Sequence, residues 1–445
     1  MPGTHVELIL NCRWLLPVAP VNEAVEHAGV AIDNGRIVAV GPIDALFERF
    51  APNRIVDLGH HAVLPGLVNA HGHAAMTLLR GSAEDKPLQA WLTDDIWPLE
   101  TAHVSPDFVQ TGTELALAEM ISFGTTCFSD MYFFPEVVAR CAKQVGMRAQ
   151  IAFPVIKFPN AWCQDTDEGF HKGLALHDDF RNEPLVTIAF GPHSAYTVTD
   201  ADLERTLMYS EELGLLVQTH LHENQAEVAE AHERLGHSWI THLHERGMLN
   251  PSLQAVHMTQ VTEAEIELIA EHDVQVVQCP HSNLKLACGI CPTEDFHAAG
   301  VNVALGTDGA ASNNTLDLFA EARLAALLAK HTTGNASAGS SQQLLYRATL
   351  GGAKALGMDA ETGSLEVGKS ADIIAVDLDN AAFFPMYDPI SAIIHGAAGA
   401  SVSHVWVAGQ CLYDDRTFTT LAVDDLKSRV RNWQSRIRDG RRSNR

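Results

Sequence analysis

Two histidines flank a glycine in the stretch GLVNAHGHAAM, directly after an apolar run, HAVLPGLVNA, that reads as a buried strand. Alternate side chains of a strand share a face, so His71 and His73 would point the same way. Such a pair is either a metal clamp or two ordinary loop histidines. Other apolar runs end in groups of the same kind: GPHSAYT carries His193, QTHLHEN carries His220, His222 and Glu223, and AVHMT carries His257. CPHSN then carries His281, and GTDGAASNN carries Asp308. One buried histidine is more often a satisfied core residue than a ligand. Imidazoles and a carboxylate repeated at the ends of successive runs favour the metal clamp. Cys288 and Cys291 in LACGICP have no second pair at zinc-ribbon spacing and read as loop cysteines.

Groups so far apart in sequence meet only if the elements that carry them form a ring. Between TTCFSDM and VNVALGTDG, short and nearly continuous apolar runs alternate with segments such as SPDFVQTGTELALAEMISFG, whose apolar residues fall at helical spacing. Continuous apolar runs suit strands covered on both faces. Counting the run before His71, eight such strands predict an α/β fold, a (β/α)8 TIM-like barrel. In that fold chemistry collects at the C-terminal strand ends, where the polar groups above lie. The chain ends read differently. VELILNC, GVAIDNGRIVAVG and RIVDLG at one end, and GSLEVGKSADIIAVDLD with SVSHVWVAGQCLYDD at the other, are β-rich, with a hairpin signal at Asn34-Gly35. Together they predict a small β-sandwich domain built from residues 1–62 and 363–424 around a barrel of residues 63–362. Residues 425–445 form a basic helical tail that reads as a packing or solvated helix ending in disorder.

The 445 residues, 46% hydrophobic and 19% charged, describe a globular protein with a large core. A formal net charge of -25 argues against nucleic acid as a partner, because phosphates would be repelled. No apolar run approaches the length needed to span a bilayer. Eight scattered cysteines make no disulfide framework, and a cytoplasmic protein with reduced thiols is expected.

NAHGHAAM, GPHSAYT, THLHEN, PHSNLKL and GTDGAASNN, in this order, resemble the amidohydrolase superfamily, and more narrowly its 5-methylthioadenosine/S-adenosylhomocysteine deaminases. The resemblance covers nearly the whole chain. It implies one divalent metal held by His71, His73, His220 and Asp308, because no lysine at the end of the His193 strand is available to bridge two ions. Nitrogen and carboxylate donors with an open position suit Zn²⁺, and also accept Fe²⁺ or Mn²⁺. His222 is expected behind the ligands or in the pocket wall. The implied reaction is hydrolytic deamination at C6 of an adenine nucleoside. A cation lowers the pKa of a water toward ~7, Asp308 takes its proton, His257 directs it, and Glu223 protonates the ring nitrogen. Glu100 in DIWPLE matches the glutamate that grips ribose hydroxyls, and His193 matches a nucleoside-contacting histidine. Trp91 and Trp97 are candidates for pocket walls, and His281 and Asn283 for positioning their loop.

Two places depart from the family pattern. Relatives that act on S-adenosylhomocysteine are expected to hold its carboxylate with arginines after the third strand. Here FPVIKFPNAWCQDTDEGFHKG offers Lys157 and no arginine before Arg181. Lysine is the poorer bidentate partner for a carboxylate, so 5′-methylthioadenosine is the expected substrate, with S-adenosylhomocysteine or adenosine secondary. Cys288 stands where a small residue such as serine is expected. Guanine deamination and triazine amino- or chlorohydrolysis are the nearest rival activities. A cyclic amide hydrolase and a non-catalytic barrel scaffold lie further off. The resemblance also implies a homo-oligomer, with no sequence feature that sets its stoichiometry.

Overall fold

A computed structural model describes residues 3–443 apart from 195 and 397. The last two residues of the basic tail, where disorder is expected, lie outside the described residues. The chain forms two compact units: Met1–Asn69 with Ala118–Cys127 and Asp317–Leu421, and Ala70–Leu117 with Phe128–Leu316 and Ala422–Arg445.

Strands β1 (Thr4–Leu15), β2 (Val25–Asp33), β3 (Arg36–Pro42) and β4 (Phe50–Pro65) open the chain. Strands β5 (Leu67–Asn69), β6 (Thr125–Asp130), β7 (Arg148–Val155), β8 (Val186–Pro192), β9 (Val217–Leu221), β10 (Leu253–His257), β11 (Gln275–Gln278) and β12 (Val303–Leu305) occupy the middle. Strands β13 (Ile373–Asp377), β14 (Val402–Val407), β15 (Gln410–Asp414) and β16 (Thr417–Phe418) end it.

The outer strands form one eight-stranded sheet in the order β16-β15-β14-β13-β4-β1-β2-β3. The two chain ends meet at the antiparallel β4–β13 pair, where Leu64 faces Ile374. One sheet face buries Leu10, Val30, Ile32, Val63, Ile373 and Trp406 in a common cluster, so strands from both ends share a core. The hairpin predicted at Asn34-Gly35 is present: both residues have positive φ, at 48° and 72°, and Asp33 pairs with Arg36.

The middle strands form the second sheet, in sequence order from β5 to β12. The pairs from β7 to β12 are parallel. The ring closes where the Ala70 amide donates to the Leu305 carbonyl at 2.9 Å. Every residue of β6, β7, β9 and β10 is buried, the polar ones included, as expected of strands covered on both faces. Thr199/Asp202 and Thr262/Glu265 form capping boxes that start two of the intervening helices.

One expectation fails locally. HAVLPGLVNA is not a single strand: HAVLP ends β4, and only LVN enters the barrel as β5. The chain breaks step at Gly66, where an added Cβ would lie 2.0 Å from Thr126 Oγ1. Proline before it donates no amide hydrogen, so Pro65-Gly66 ends one ladder and starts the other. The histidines therefore follow the strand, and no pleat aligns them.

The basic tail is a helix, Val423–Ser443. Trp433 packs edge-on against Phe108 at 5.3 Å, and Arg429 pairs with Glu114, so this is a packing helix. Among the described residues, no helix is long and apolar enough to cross a membrane.

Candidate active site

Four groups converge at the C-terminal ends of the barrel strands. His71 and His73 come from the segment after β5, His220 lies within β9, and Asp308 follows β12. One ligand atom of each lies within 4.8 Å of all the others. The two imidazoles of the His-x-His pair stand nearly perpendicular, at 87°. His71 packs closely on the chain leaving β12, where a Cβ at Gly306 would lie 2.9 Å from the His71 Cβ.

Each imidazole is oriented from behind. His71 Nδ1 donates to Gln218 Oε1 at 2.7 Å, His73 Nδ1 to the Met131 carbonyl at 2.6 Å, and His220 Nδ1 to the His193 carbonyl at 2.5 Å. With Nδ1 engaged, all three present Nε2 to the centre, as metal-binding histidines require. Gln218 is itself fixed by donating to the Ala70 carbonyl, Ser129 Oγ and Gln254 Oε1. Asp308 turns Oδ1 toward His73 Nε2 at 3.1 Å and His71 Nε2 at 3.4 Å. Its Oδ2 accepts from Ser282 Oγ at 2.6 Å and Ser312 Oγ at 2.9 Å. Burial alone would raise this carboxyl, but the two imidazoles facing Oδ1 hold it well below the ordinary range. Three imidazole nitrogens and one carboxylate oxygen, each anchored at its far side, fit a divalent cation of zinc type.

His257 and Glu223 stand beside this cluster. His257 Nδ1 bonds Asn283 Oδ1 at 2.8 Å, and its Nε2 lies 3.7 Å from Glu223 Oε1. Burial, reinforced by the charge of Asp308, pushes the Glu223 carboxyl up to about 8. Both His257 and Asp308 sit at positive φ, 77° and 59°, a conformation that costs roughly 1–3 kcal/mol in non-glycine residues and clusters at functional sites.

The cluster opens into a cavity of about 560 Å³. His193 and Glu100 line it, as do Trp91 and Trp97. Glu100 accepts a 2.6 Å hydrogen bond from the Tyr132 hydroxyl, and burial raises its carboxyl to about 7 against that bond. Burial, with the neighbouring His73 and His71, pushes His193 down to about 3, and its Nδ1 has no hydrogen-bond partner among the described residues.

Other sequence-predicted residues fall outside the cavity. His222 Nδ1 turns to the Gln260 carbonyl at 2.7 Å, so it braces the loop after β9 and forms no pocket wall. Asn283 acts through His257, whereas His281, on the same short helix, does not line the cavity. Cys288 is a buried thiol 3.9 Å from Glu223 Oε1, and Cys291 is buried as well.

Two residues escaped the sequence reading. Tyr132 gives no signal beyond following β6 closely, yet it holds Glu100. Glu227 accepts the amides of His222 and Glu223 at 3.0 and 2.8 Å, fixing the loop that presents Glu223. Its signal was there: Asn224 caps the helix, and Glu227 is the acid in its first turn.

The model of the amidohydrolase family matches residues 62–412. The chain is 44% identical over 434 residues to the 5-methylthioadenosine/S-adenosylhomocysteine deaminase of Teredinibacter turnerae, covering 98% of each. It is also 44% identical over 440 residues to the enzyme of that name from Saccharophagus degradans, covering 99% of each. Its backbone matches the crystal structure of an adenosine deaminase from Xanthomonas campestris with bound zinc, with a TM-score of 0.97 and 45% identity over 98% of this chain and 100% of that one. Likeness this extensive in sequence and backbone leaves one assignment: this chain belongs to the amidohydrolase family.

Proposed function

We propose that this chain is a metal-dependent deaminase that removes the exocyclic amine of an adenine nucleoside by hydrolysis, with 5′-methylthioadenosine preferred over S-adenosylhomocysteine. The observation that carries this reading is the buried Glu223 carboxyl beside His257 and the His/His/His/Asp cluster, at the floor of one cavity. His71, His73, His220 and Asp308 would hold the cation, and Zn²⁺ fits their donor types best. When bound, the cation acts as a Lewis acid that makes water acidic enough to ionise near neutral pH.

The protein groups divide the remaining work. Asp308, ionised and hydrogen-bonded on Oδ2, accepts the water proton, while His257 directs the water toward C6. Glu223, protonated at neutral pH, gives its proton to N1 as the C6–O bond forms and the ring double bond shifts. The proton held by Asp308 then passes to the amine, and as the C6–N bond breaks the C6 hydroxyl returns its proton to Glu223, so that ammonia leaves and the product carries a C6 carbonyl. Glu100, held by Tyr132, accepts from the ribose diol, and the open Nδ1 of His193 meets the nucleoside.

The cavity supports the preference. No lysine or arginine is among its lining residues, and Phe158, Pro159, Trp97 and Phe133 offer apolar surface. Lys157 lies 5.2 Å over the Phe158 ring and stays outside it. A methylthio group loses little by contacting such a wall, whereas an amino-acid carboxylate would find no cation there. The test is an ultraviolet assay of metal-loaded protein on both nucleosides, with released ammonia counted. Faster turnover of 5′-methylthioadenosine is expected. Equal rates would end the specificity reading, and no adenine-ring turnover would end the deaminase reading.

A further inference from the structure

Three separate segments at the mouth of the barrel are tied together by one mostly buried lysine. Lys285 Nζ donates to the Ala311 carbonyl at 3.2 Å and to Asn314 Oδ1, and pairs with Glu84 Oε2 at 2.9 Å. Asn314 Nδ2 donates to Glu84 Oε1 at 3.0 Å, and Arg80 Nη1 to the Asn314 carbonyl at 3.1 Å. The lysine ends the helix Pro280–Lys285, which also carries Ser282 and Asn283. Asn314 caps the helix Ala310–Asn313, which carries Ser312, and adopts φ 81° to do so. Glu84 belongs to the segment that leads into the helices bearing Trp91 and Glu100.

These connections bear on the reacting groups. Ser282 and Ser312 reach Asp308 Oδ2 from two different helices, so its carboxylate plane depends on how those helices are spaced. Asn283, two residues before Lys285, sets the ring of His257. We propose that Lys285, with Glu84 and Asn314, is a positioning latch: it holds Ser282 and Ser312 on Asp308, and Asn283 on His257, in one geometry. Lys285 touches neither metal ligand nor substrate and acts through the helices it joins. Outer partners of this kind commonly alter metal affinity or activity by ~10–100-fold when removed. For its kinetic arm this role rests on the deaminase activity proposed above; for its metal-binding arm it does not.

The experiment uses full-length protein bearing Lys285→Met, Glu84→Gln, Ser312→Ala, or Lys285→Met with Ser312→Ala. Zn²⁺ affinity is measured by competition with a chromogenic chelator, and kcat and KM are measured separately. Lys285→Met is expected to lower Zn²⁺ affinity and kcat each by ~10-fold with little change in KM, and Glu84→Gln to do so more weakly. The double variant should lose less than the product of the two single losses, because both act in part through the same carboxylate. Wild-type affinity and kcat in Lys285→Met and Glu84→Gln, or independent losses that multiply in the double variant, would overturn the latch. Should Lys285→Met fail to fold, Glu84→Gln, which keeps an acceptor for Asn314, decides on the same readouts. A wild-type protein that releases no ammonia, with the affinity losses still shared, would remove the deaminase reading and leave the latch standing.

Discussion

Glu223 is a carboxyl placed where its charge is costly. It is buried, stands near ionised Asp308, and has His257 Nε2 and the Cys288 thiol close to its Oε1. Desolvation favours the neutral acid, so the group is protonated below about 8 and loses its proton as pH rises through that value. If the acid form donates to N1, kcat should be level near neutrality and fall on the alkaline side around that pH. Glu223→Gln keeps the shape and removes the transferable proton. Its kcat should drop by ~10²–10⁴-fold, with the alkaline limb erased from the pH profile. A pH profile identical to wild type would assign the limb elsewhere. Residue chemistry was largely legible in the sequence, because imidazole and carboxylate types sit at the ends of recognisable runs. The partners were not. Tyr132 reaches Glu100 from another part of the chain, and Glu227, although marked as the first-turn acid after Asn224, binds backbone amides that carry no residue-type signal.

At the scale of the element, the strands were visible because both faces are covered, which leaves unbroken apolar runs. The same property hid the boundary at Gly66. An apolar run gives no sign of which of two sheets covers it, and β4 and β5 are equally buried there. The glycine carries the distinction, since its missing Cβ admits Thr126. Gly66→Val should therefore lower the thermal unfolding midpoint, corresponding to ~1–3 kcal/mol of overpacking strain. Thr126→Ala would relieve part of it, because the atoms met are in that side chain. An unchanged midpoint in Gly66→Val would mean that the strand junction yields freely.

For the whole molecule, the convergence of His71, His73, His220 and Asp308 predicts a link between metal and stability. A cation that binds only the folded chain stabilises it by about 4 kcal/mol at a thousand times its Kd. Treatment with a strong chelator should abolish deamination and lower the unfolding midpoint, and Zn²⁺ should restore both. A chelated protein with an unchanged midpoint and full activity would exclude the metal reading. Net charge has no part in this, since a formal charge of -25 selects no substrate.

The sequence by itself determined the barrel, the β-rich domain from both ends, the ligand types and the candidate acid. These follow from hydrophobic period, turn residues and side-chain chemistry, all of which are local. Tertiary structure decided the orientations: which nitrogen of each histidine faces the centre, that His222 turns away, and that Asp308 leans on two serines from separate helices. Those outcomes depend on hydrogen bonds between segments far apart in the chain, and only closing the ring of strands brings such partners within reach.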